Sequence, residues 1–471
     1  MKIKQLKRTL SLRDLVFFNL VAVVSITSLA TAAKTGVTGL TLFLIGAIFF
    51  FIPEGLAVNS LSSKYPNEGG IYSWTKILFG NRNGFLCGWC YWINNILYLP
   101  SLVLSTAVIA TYIFQKGNSL LGERMEYILP FTLIVLWFTT LINIRGLKQS
   151  RWLQNVGGMG AYLPFIFLAF SGLYALITQH AANSFNASNW KPDWNNFSYL
   201  NLWATVPFAY TGLELSSTLA AEIKNPNRNL PLSVYIAAPL IGLFYIIGSG
   251  CLLYIVPKEN IDVIGGCFQA ISLMMNKLSS NLWWIVLLTA ACATVGRIGG
   301  LSAWMSGAAR VALVAGIDKY LPAAFARIHP RWHTPHTAIL IQSILATFFL
   351  FMAIIGKGTT VATAFFTLLD MSIVLYFIPY IYLFACFLKN YFSQSVTAEK
   401  SFGSKLFTVI AGISGILITL IGIAVAMIPP PDSNPWTFEI KVIGGCLLLL
   451  GAGAIFYYRG EKKLQMQKRK S

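Results

Sequence analysis

Long apolar stretches alternate with short polar connections along the chain, from Leu15 to the region of Tyr457. Many are long enough for a helix of about 20 residues to cross the roughly 30 Å hydrocarbon core of a bilayer. Because backbone groups in lipid must pair within the spanning element, and runs this long exclude short barrel strands, the pattern predicts an all-α integral membrane protein. Twelve spans are expected, at about residues 14–34, 40–62, 84–115, 127–146, 152–178, 200–222, 232–256, 281–311, 335–356, 360–388, 406–429 and 438–458.

Composition agrees with a lipid environment. Of 471 residues, 56% are hydrophobic and only 11% are Asp, Glu, Lys or Arg, whereas soluble domains carry about a quarter charged residues. No stretch remains for a separate soluble domain. The basic opening segment, residues 1–13, has no small-residue cleavage site after a short apolar core, so we expect a retained cytoplasmic tail.

The formal net charge of +19 raises the question of nucleic-acid binding. The cations, however, cluster at the ends of the predicted spans. When loops are placed alternately on the two sides, one side collects most of the 35 Lys and Arg residues, and the positive-inside rule makes that side cytoplasmic. We therefore expect an inner-membrane protein with both termini in the cytoplasm, contact with anionic membrane lipid, and no nucleic-acid partner.

Cofactor, metal and redox chemistry find no support in the sequence. The seven cysteines lie mostly within apolar spans, and the C-x-x-C pair of Cys87 and Cys90 lacks the βαβ pattern of a redox domain. The histidines lie in loops without Cys or acidic ligands, and no phosphate-binding G-x-x-x-x-G-K-[ST] occurs. The sequence predicts no cofactor, no metal site and no enzyme activity.

Spans one and six carry residues that interrupt helices. Span one contains the sequence SITS at residues 25–28 and then Thr31, hydroxyl residues that can pair with backbone groups freed by a break. Span six contains Pro207 and Gly212, which would alternatively only kink a packed helix. We expect both spans to be unwound, near residues 24–28 and 209–213.

Interrupted spans that lie five apart are typical of two five-span repeats with opposite orientation. The predicted organisation is a cytoplasmic N-terminal tail at 1–13, a first inverted repeat at 14–178, a second inverted repeat at 200–388, two further spans at 406–458, and a basic cytoplasmic C-terminal tail at 459–471.

Three motifs lie at span ends that parity places in the cytoplasm. They read LSSKYPNEGGIY at residues 61–72, EIKNPNRNLP at 222–231, and ARVALVAGIDKYLP at 309–322. Together with the Gly-x-Glu of Gly212 and Glu214, they resemble the amino acid–polyamine–organocation permease family, which shows such motifs in this order and at these spans. The resemblance implies the inverted-repeat, leucine-transporter-like fold, with a mid-membrane substrate site between spans one, three, six, eight and ten.

A broken helix suits an amino acid, because one half-helix exposes N–H groups for a carboxylate and the other exposes C=O groups for an ammonium. The family commonly has glycines at the span-one break, whereas this chain has none there. Hydroxyls can supply donors instead, or can simply bond their own helix. The expected substrate-binding residues are Ser25, Ile26, Thr27, Ser28, Tyr91, Asn95, Phe208, Tyr210, Thr211 and Gly212.

Some of these residues have plainer explanations. Phe208 matches a position where family members often have an aromatic lid over the substrate, with Tyr210 as a nearby polar group, but aromatic residues also pack membrane helices. Tyr91 and Asn95 place polar groups on one side of span three, which helix packing explains equally well.

Intramembrane charges require a partner or a function. Glu214 stands where the family's Gly-x-Glu glutamate lies and is expected to act in proton coupling or in a link between helices. Glu54 is expected to be a structural ion-pair partner. Arg297 is a permanent cation that can replace a bound sodium ion beside span one, hold an anionic substrate side chain, or form a salt bridge to Asp370 or Glu214. Glu214, Arg297 and Asp370 are the predicted coupling and gating residues.

The sequence therefore predicts a secondary transporter, either an antiporter or a proton-coupled symporter, for amino acids or related amines. Its partners would be the amino acid, with protons or a counter-substrate, in a monomer or homodimer. Span six looks closest to the glutamate–γ-aminobutyrate exchanger branch of the family. The alternative is a non-transporting amino acid sensor with the same fold.

Overall fold

The computed structural model of the protein describes residue 6 and residues 8–114, 120–191, 197–355, 360–393, 405–429 and 434–468. Among these residues, pairing of the β type is confined to one isolated bridge between Leu10 and Ile223. The helices are α1 (Leu12–Val23), α2 (Ile26–Ala33), α3 (Val37–Gly46), α4 (Ile52–Lys64), α5 (Ile71–Phe79), α6 (Asn81–Phe114), α7 (Leu120–Glu123), α8 (Met125–Ile144), α9 (Leu147–Thr178), α10 (Phe197–Tyr210), α11 (Pro226–Ile255), α12 (Gly266–Leu278), α13 (Trp283–Ile317), α14 (His336–Ile354), α15 (Val361–Phe392), α16 (Lys405–Ala426), α17 (Pro435–Glu439) and α18 (Gly445–Lys468).

Within the described part of the chain, eleven helical segments are long and apolar enough to cross a membrane, which confirms an all-α, multi-pass architecture. Their bounds lie close to the predicted ones. The remaining predicted span, 200–222, is split into α10 and a 3₁₀ helix at Leu213–Glu222, and neither piece alone is long enough to span. The count of twelve and the inverted repeat stay predictions.

Burial divides the helices into a central group and an outer one. The apolar windows of segments Leu12–Ala33 and Asn81–Phe114 are 83% buried, whereas that of Pro435–Met466 is 22% buried. Outer helices instead expose large apolar side chains such as Ile177 and Leu448, as a lipid-facing surface requires. Helices α1, α2 and α6 therefore lie at the centre of the bundle.

Helices α9, α13 and α1 approach one another at glycines. A Cβ at Gly299 would lie 2.9 Å from the Cα of Gly157, and a Cβ at Gly300 would lie 2.7 Å from the carbonyl oxygen of Val21. Small residues let membrane helices pack backbone to backbone. This packing fixes α13 against the first span.

Both predicted helix breaks are present. Helix α1 ends at Val23, Val24 and Ser25 are extended, and α2 begins at Ile26. In span six, α10 ends at Tyr210, and Gly212 has a φ of 122°, a left-handed conformation that favours glycine. The first break is shorter than residues 24–28, because the Ser25 hydroxyl caps α2 by accepting from the Ser28 N–H at 3.2 Å.

The two ends of the described chain lie at the same end of the bundle. The N–H groups of Thr9 and Leu10 donate to the carbonyl of Glu222, and α18 packs at Gly460 against Tyr320, which follows α13. Residues 459–468 of the predicted C-terminal tail continue α18 as helix. We call this the terminal end of the molecule.

Candidate functional site

The two helix breaks share one side chain, Tyr245 of α11. Its hydroxyl oxygen accepts from the Ser25 N–H at 3.0 Å, and it lies 2.7 Å from the carbonyl oxygen of Val23 and 3.0 Å from that of Ala209. The indole N–H of Trp304 donates to the Ala22 carbonyl at 2.9 Å. Aromatic side chains thus pair with several of the backbone groups that unwinding frees.

The N-terminus of α2 retains free donors. The N–H groups of Ile26 and Thr27 have no partner among the described residues, as is usual for the first turn of a helix. The buried hydroxyl of Thr27 is also unpaired, whereas the Ser28 hydroxyl donates to that of Ser25 at 2.9 Å. Such a helix end attracts anions.

Arg297 lies beside this helix end. It is 8% exposed; one terminal nitrogen donates to the Ser25 hydroxyl at 3.3 Å, and the other donates to the hydroxyl of Ser105 on α6. Its Nε has no partner within the described part of the chain. The alternative prediction, a salt bridge from Arg297 to Asp370 or Glu214, is wrong. The ion pairs of the described residues are Lys76–Asp318, Arg151–Asp14 and Arg310–Glu222.

A small buried cavity opens between these groups. Its lining includes Val24, Ile26, Tyr98, Arg297 and Trp304, and its volume is about 20 Å³. That volume holds roughly one water molecule and cannot hold an amino acid. In this conformation the helices around the cavity leave no room for a substrate.

Four aromatic rings form a cluster next to the cavity, with Phe208 in contact with Tyr98 and Tyr376 at ring-centroid distances of 5.4 and 6.0 Å. Trp304 contacts Tyr98 and Tyr376 at 5.2 and 5.6 Å. These rings come from α6, α10, α13 and α15, which places Phe208 between helices that must separate if the cavity is to open. We call Tyr98, Phe208, Trp304 and Tyr376 the aromatic cluster.

A pair of buried carboxyl groups, those of Glu54 and Glu214, lies beside the aromatic cluster. Glu214 accepts from Tyr91 at 2.9 Å and from Tyr376, and Glu54 accepts from the Leu213 N–H at 3.2 Å. The hydroxyl of Tyr380 lies 2.8 Å from Glu54 and 2.5 Å from Glu214. The expectation that Glu54 forms an ion pair is wrong: its neighbours are a second carboxyl, a phenol and a free N–H of the span-six break.

Hydrogen counting limits how this pair can bond to Tyr380. The phenol of Tyr380 has one hydrogen and lies within bonding distance of both carboxyl groups, so it can donate to only one of them. The other contact is a hydrogen bond when that carboxyl carries a proton and donates. Two unprotonated carboxylates this close, away from water, would repel each other strongly.

A third polar cluster lies at the terminal end of the molecule. Arg310 donates to Glu222 at 2.7 Å, and the side chains of this ion pair are 2% and 3% exposed. Glu68 accepts from the Ala221 N–H at 2.7 Å, and its other oxygen has no partner in the described ranges of the chain. Burial and the neighbouring charge of Glu222 raise the pKa of Glu68 from 4.5 to about 8, against the opposing effect of Arg310. We call Glu68, Glu222 and Arg310 the gate cluster.

The three sequence motifs meet here. Gly70 of the first motif has a φ of 46°, and a Cβ there would lie 2.3 Å from the hydroxyl of Ser217 in span six. Glu222 opens the second motif, and Arg310 belongs to the third. The motifs therefore join spans two, six and eight at one end of the bundle.

The other predicted site residues lie in different surroundings. The hydroxyl of Tyr210 donates to the Phe43 carbonyl at 3.0 Å, away from the cavity, and that of Thr211 donates to the Phe208 carbonyl at 2.7 Å. Asn95 is fully buried, and neither of its side-chain polar atoms has a partner among the residues that the structure describes. Asp370 accepts from Asn201 at 3.3 Å and joins neither Glu214 nor Arg297.

Sequence reasoning missed Tyr245, Trp304, Tyr98 and Tyr380. Each is an aromatic residue inside an apolar span, and nothing local distinguishes a hydroxyl or indole that serves a helix break from one that only packs. The available signal was indirect: two broken helices leave buried N–H and C=O groups, which must find partners on neighbouring spans.

Comparison with known proteins gives a consistent result. A family model described as amino acid permease matches residues 10–450. An uncharacterized transporter of Legionella pneumophila is 30% identical over 97% of this chain and 98% of its own length. A probable agmatine/putrescine antiporter of Lactococcus lactis is 24% identical over 93% of this chain and 91% of its own, and a glutamate/γ-aminobutyrate antiporter of the same species is 24% identical over 82% and 77%.

A solved structure shares the fold. The crystal structure of MhsT in complex with L-phenylalanine matches with a TM-score of 0.61 and 14% sequence identity, covering 88% of this chain and 97% of that one. At this identity the likeness concerns the fold alone.

Proposed function

The chain belongs to the amino acid permease family, and we propose that it transports amino acids or related amines by alternating access around the cavity beside Arg297. It is a secondary transporter of the inner membrane and not an enzyme, as its family and relatives indicate. Those relatives do not favour a non-transporting sensor.

One observation carries the proposed site. Two interrupted helices lie against a common side chain, Tyr245, next to a buried cavity with an unpaired cation and a helix N-terminus. Donors of this kind suit a substrate carboxylate, and the broken helices provide a hinge for opening.

Coupling is proposed to use exchange or protons. In this proposal the pair of Glu54 and Glu214 shares a proton between spans two and six, and Tyr380 links the pair to span ten. Loss of that proton would set two carboxylates against each other, which favours separation of these spans. Two relatives named as antiporters support exchange.

Sodium is proposed to be unnecessary. Arg297 already brings a positive charge to the span-one break through its bond to Ser25. A second cation there would be repelled strongly in a poorly solvated site.

The orientation and assembly are also proposals. Both termini are placed in the cytoplasm on the strength of the cation distribution, and their meeting at the terminal end agrees with a common side. The protein is proposed to act as a monomer or homodimer in contact with membrane lipid.

The decisive experiment is counterflow in liposomes. Purified protein is reconstituted in vesicles loaded with one unlabelled amino acid or amine, and entry of the radiolabelled compound is followed at fixed pH with sodium or with choline. We expect accumulation of at least one compound, equal in the two salts, and little accumulation with Glu214→Gln. Uptake that collapses in choline would refute the sodium-free proposal, and the absence of any exchange would refute transport.

A further inference from the structure

We infer that Arg297 binds a carboxylate of the substrate and so restricts the protein to substrates that carry one. This inference rests on the proposed function and deepens it, because it names the chemical group that the cavity recognises.

The first argument is the missing counter-charge. Arg297 is 8% exposed, and no carboxylate pairs with it among the described residues. A buried guanidinium normally has an anionic partner, because its loss of hydration is costly. The partners present, Ser25 and Ser105, are neutral hydroxyls.

The second argument is unused donor capacity. A guanidinium has five N–H donors, of which two bond to described residues, and the buried Nε has no partner among those residues. A carboxylate takes two parallel N–H bonds from such a fork. The free donors and the cavity therefore fit an oxyanion better than a hydroxyl or an amine.

The third argument is the electrostatic setting. The cavity that Arg297 lines is also lined by Ile26, the first residue of α2. The free N–H groups of Ile26 and Thr27 and the positive end of the helix dipole add to the attraction for an anion. A cationic amine would meet a guanidinium and a helix N-terminus together, and both repel it.

The carboxylate has two sources in an amino acid, the α-carboxylate and an acidic side chain. Matched ligands separate them: glutamate has both groups, glutamine has only the α-carboxylate, and γ-aminobutyrate has only the chain carboxylate. Arginine with agmatine and serine with ethanolamine extend the panel to basic and neutral substrates, each pair differing by the α-carboxylate.

The test is equilibrium binding of these compounds to purified full-length protein in detergent, by calorimetry, for the parent, Arg297→Lys and Arg297→Gln. We expect at least one carboxylate-bearing compound to bind, and agmatine and ethanolamine to bind far more weakly. Arg297→Gln should weaken the binding of that compound by roughly 30-fold or more, the usual effect of removing one partner of a buried charge pair, and Arg297→Lys should weaken it less. If glutamine follows glutamate the α-carboxylate is the partner, and if γ-aminobutyrate follows glutamate it is the chain carboxylate.

Several outcomes would overturn the inference. They are binding of agmatine or ethanolamine as tight as that of any carboxylate compound, unchanged affinity in Arg297→Gln, or no binding by any member of the panel. A structural role is tested separately, since Arg297→Gln without ligand should melt no lower than the parent if the unpaired charge only waits for a ligand. A marked drop in melting temperature would make Arg297 a structural residue. Exchange in liposomes that persists while these results fail would leave the proposed function intact.

Discussion

Helix α13 carries two buried arginines that differ in one respect. Arg310 is 1% exposed and donates to Glu222, whereas Arg297, 8% exposed and thirteen positions earlier, has only hydroxyl partners among the described residues. Of these two arginines on one helix, Arg310 thus has a carboxylate partner within the described part of the protein, and Arg297 has none there. Because a permanent cation requires an anion when buried, the first is expected to hold the fold together and the second to await a ligand.

Arg297, Trp304 and Arg310 mark three successive levels along α13. Trp304 of the aromatic cluster lies seven residues after Arg297 and six before Arg310, so successive levels are about 10 Å apart at 1.5 Å per residue. Contacts along α6 come in the opposite chain order: Ser105 contacts Arg297, and the earlier residue Tyr98 contacts Trp304. A path from cavity to terminal end therefore passes the aromatic cluster, then the carboxyl pair, then the gate cluster.

The largest expected effect concerns Arg310. Arg310→Gln leaves Glu222 buried without its counter-charge, which should destabilise the folded protein by about 3–5 kcal/mol. Thermal unfolding in detergent measures this, with Arg297→Gln as the matched arginine that should not destabilise. Adding Glu222→Gln to Arg310→Gln should recover part of the loss. Parent-like melting of Arg310→Gln would remove the distinction between the two arginines.

The second largest effect is expected from a substitution at Tyr245. Tyr245→Phe deletes the hydroxyl that serves the Ser25 N–H and the Val23 carbonyl, and leaving such buried groups unpaired costs about 1–3 kcal/mol. Tyr162→Phe is the matched control, because the buried hydroxyl of Tyr162 has no partner. We expect the first variant to melt lower and the second to melt like the parent. Equal melting of the two would mean that the breaks do not depend on Tyr245.

The stability of the folded protein should depend on pH through Glu68 of the gate cluster. Its folded pKa of about 8 lies above its ordinary value of 4.5, so the stabilising effect of the proton is complete below pH 4.5 and is lost as the pH rises through 8. Between pH 7 and 9 this amounts to about 1.4 kcal/mol.

Melting temperature against pH tests this expectation. Glu68→Gln, a neutral mimic of the protonated acid, should flatten the decline between pH 7 and 9, whereas Glu126→Gln at an exposed position should leave it unchanged. A decline that persists in Glu68→Gln would assign the pH response to another group.

Much of the fold was predictable because its signals are local. Apolar length placed the eleven spanning segments of the described chain to within about eight residues at either end, and the proline, glycine and hydroxyl residues located both breaks. The extent of the breaks was not predictable, because it depends on a cap by Ser25 and on Tyr245, which is 220 residues away.

The candidate site was predictable only in part. Glu214 and Arg297 could be singled out because a charge in a membrane span is conspicuous. Their partners could not, since the sequence does not reveal that Glu54 lies beside Glu214 or that Arg297 finds hydroxyls in place of a carboxylate. Pairing is decided by helix packing, and the chain has many equivalent aromatic and hydroxyl residues to offer.

The smallest expected effect concerns Phe208, which lies between the levels of the two arginines. Phe208→Leu keeps apolar volume but removes the ring that contacts Tyr98 and Tyr376. Such ring contacts are worth about 0.5–1.5 kcal/mol, so the affinity for the best ligand should fall between about twofold and tenfold if the ring closes over the substrate. Phe268→Leu is the matched control, a fully buried phenylalanine on α12 that packs against Tyr112 outside the aromatic cluster.

Both variants should lose similar melting temperature, because each replaces a buried ring, but only Phe208→Leu should lose affinity. This contrast separates a lid from ordinary packing, since a lid contributes contact area that the bound state alone uses. Equal affinity of the two variants would show that Phe208 only packs the helices, and the barrier between cavity and gate would then rest on Trp304 and Tyr376.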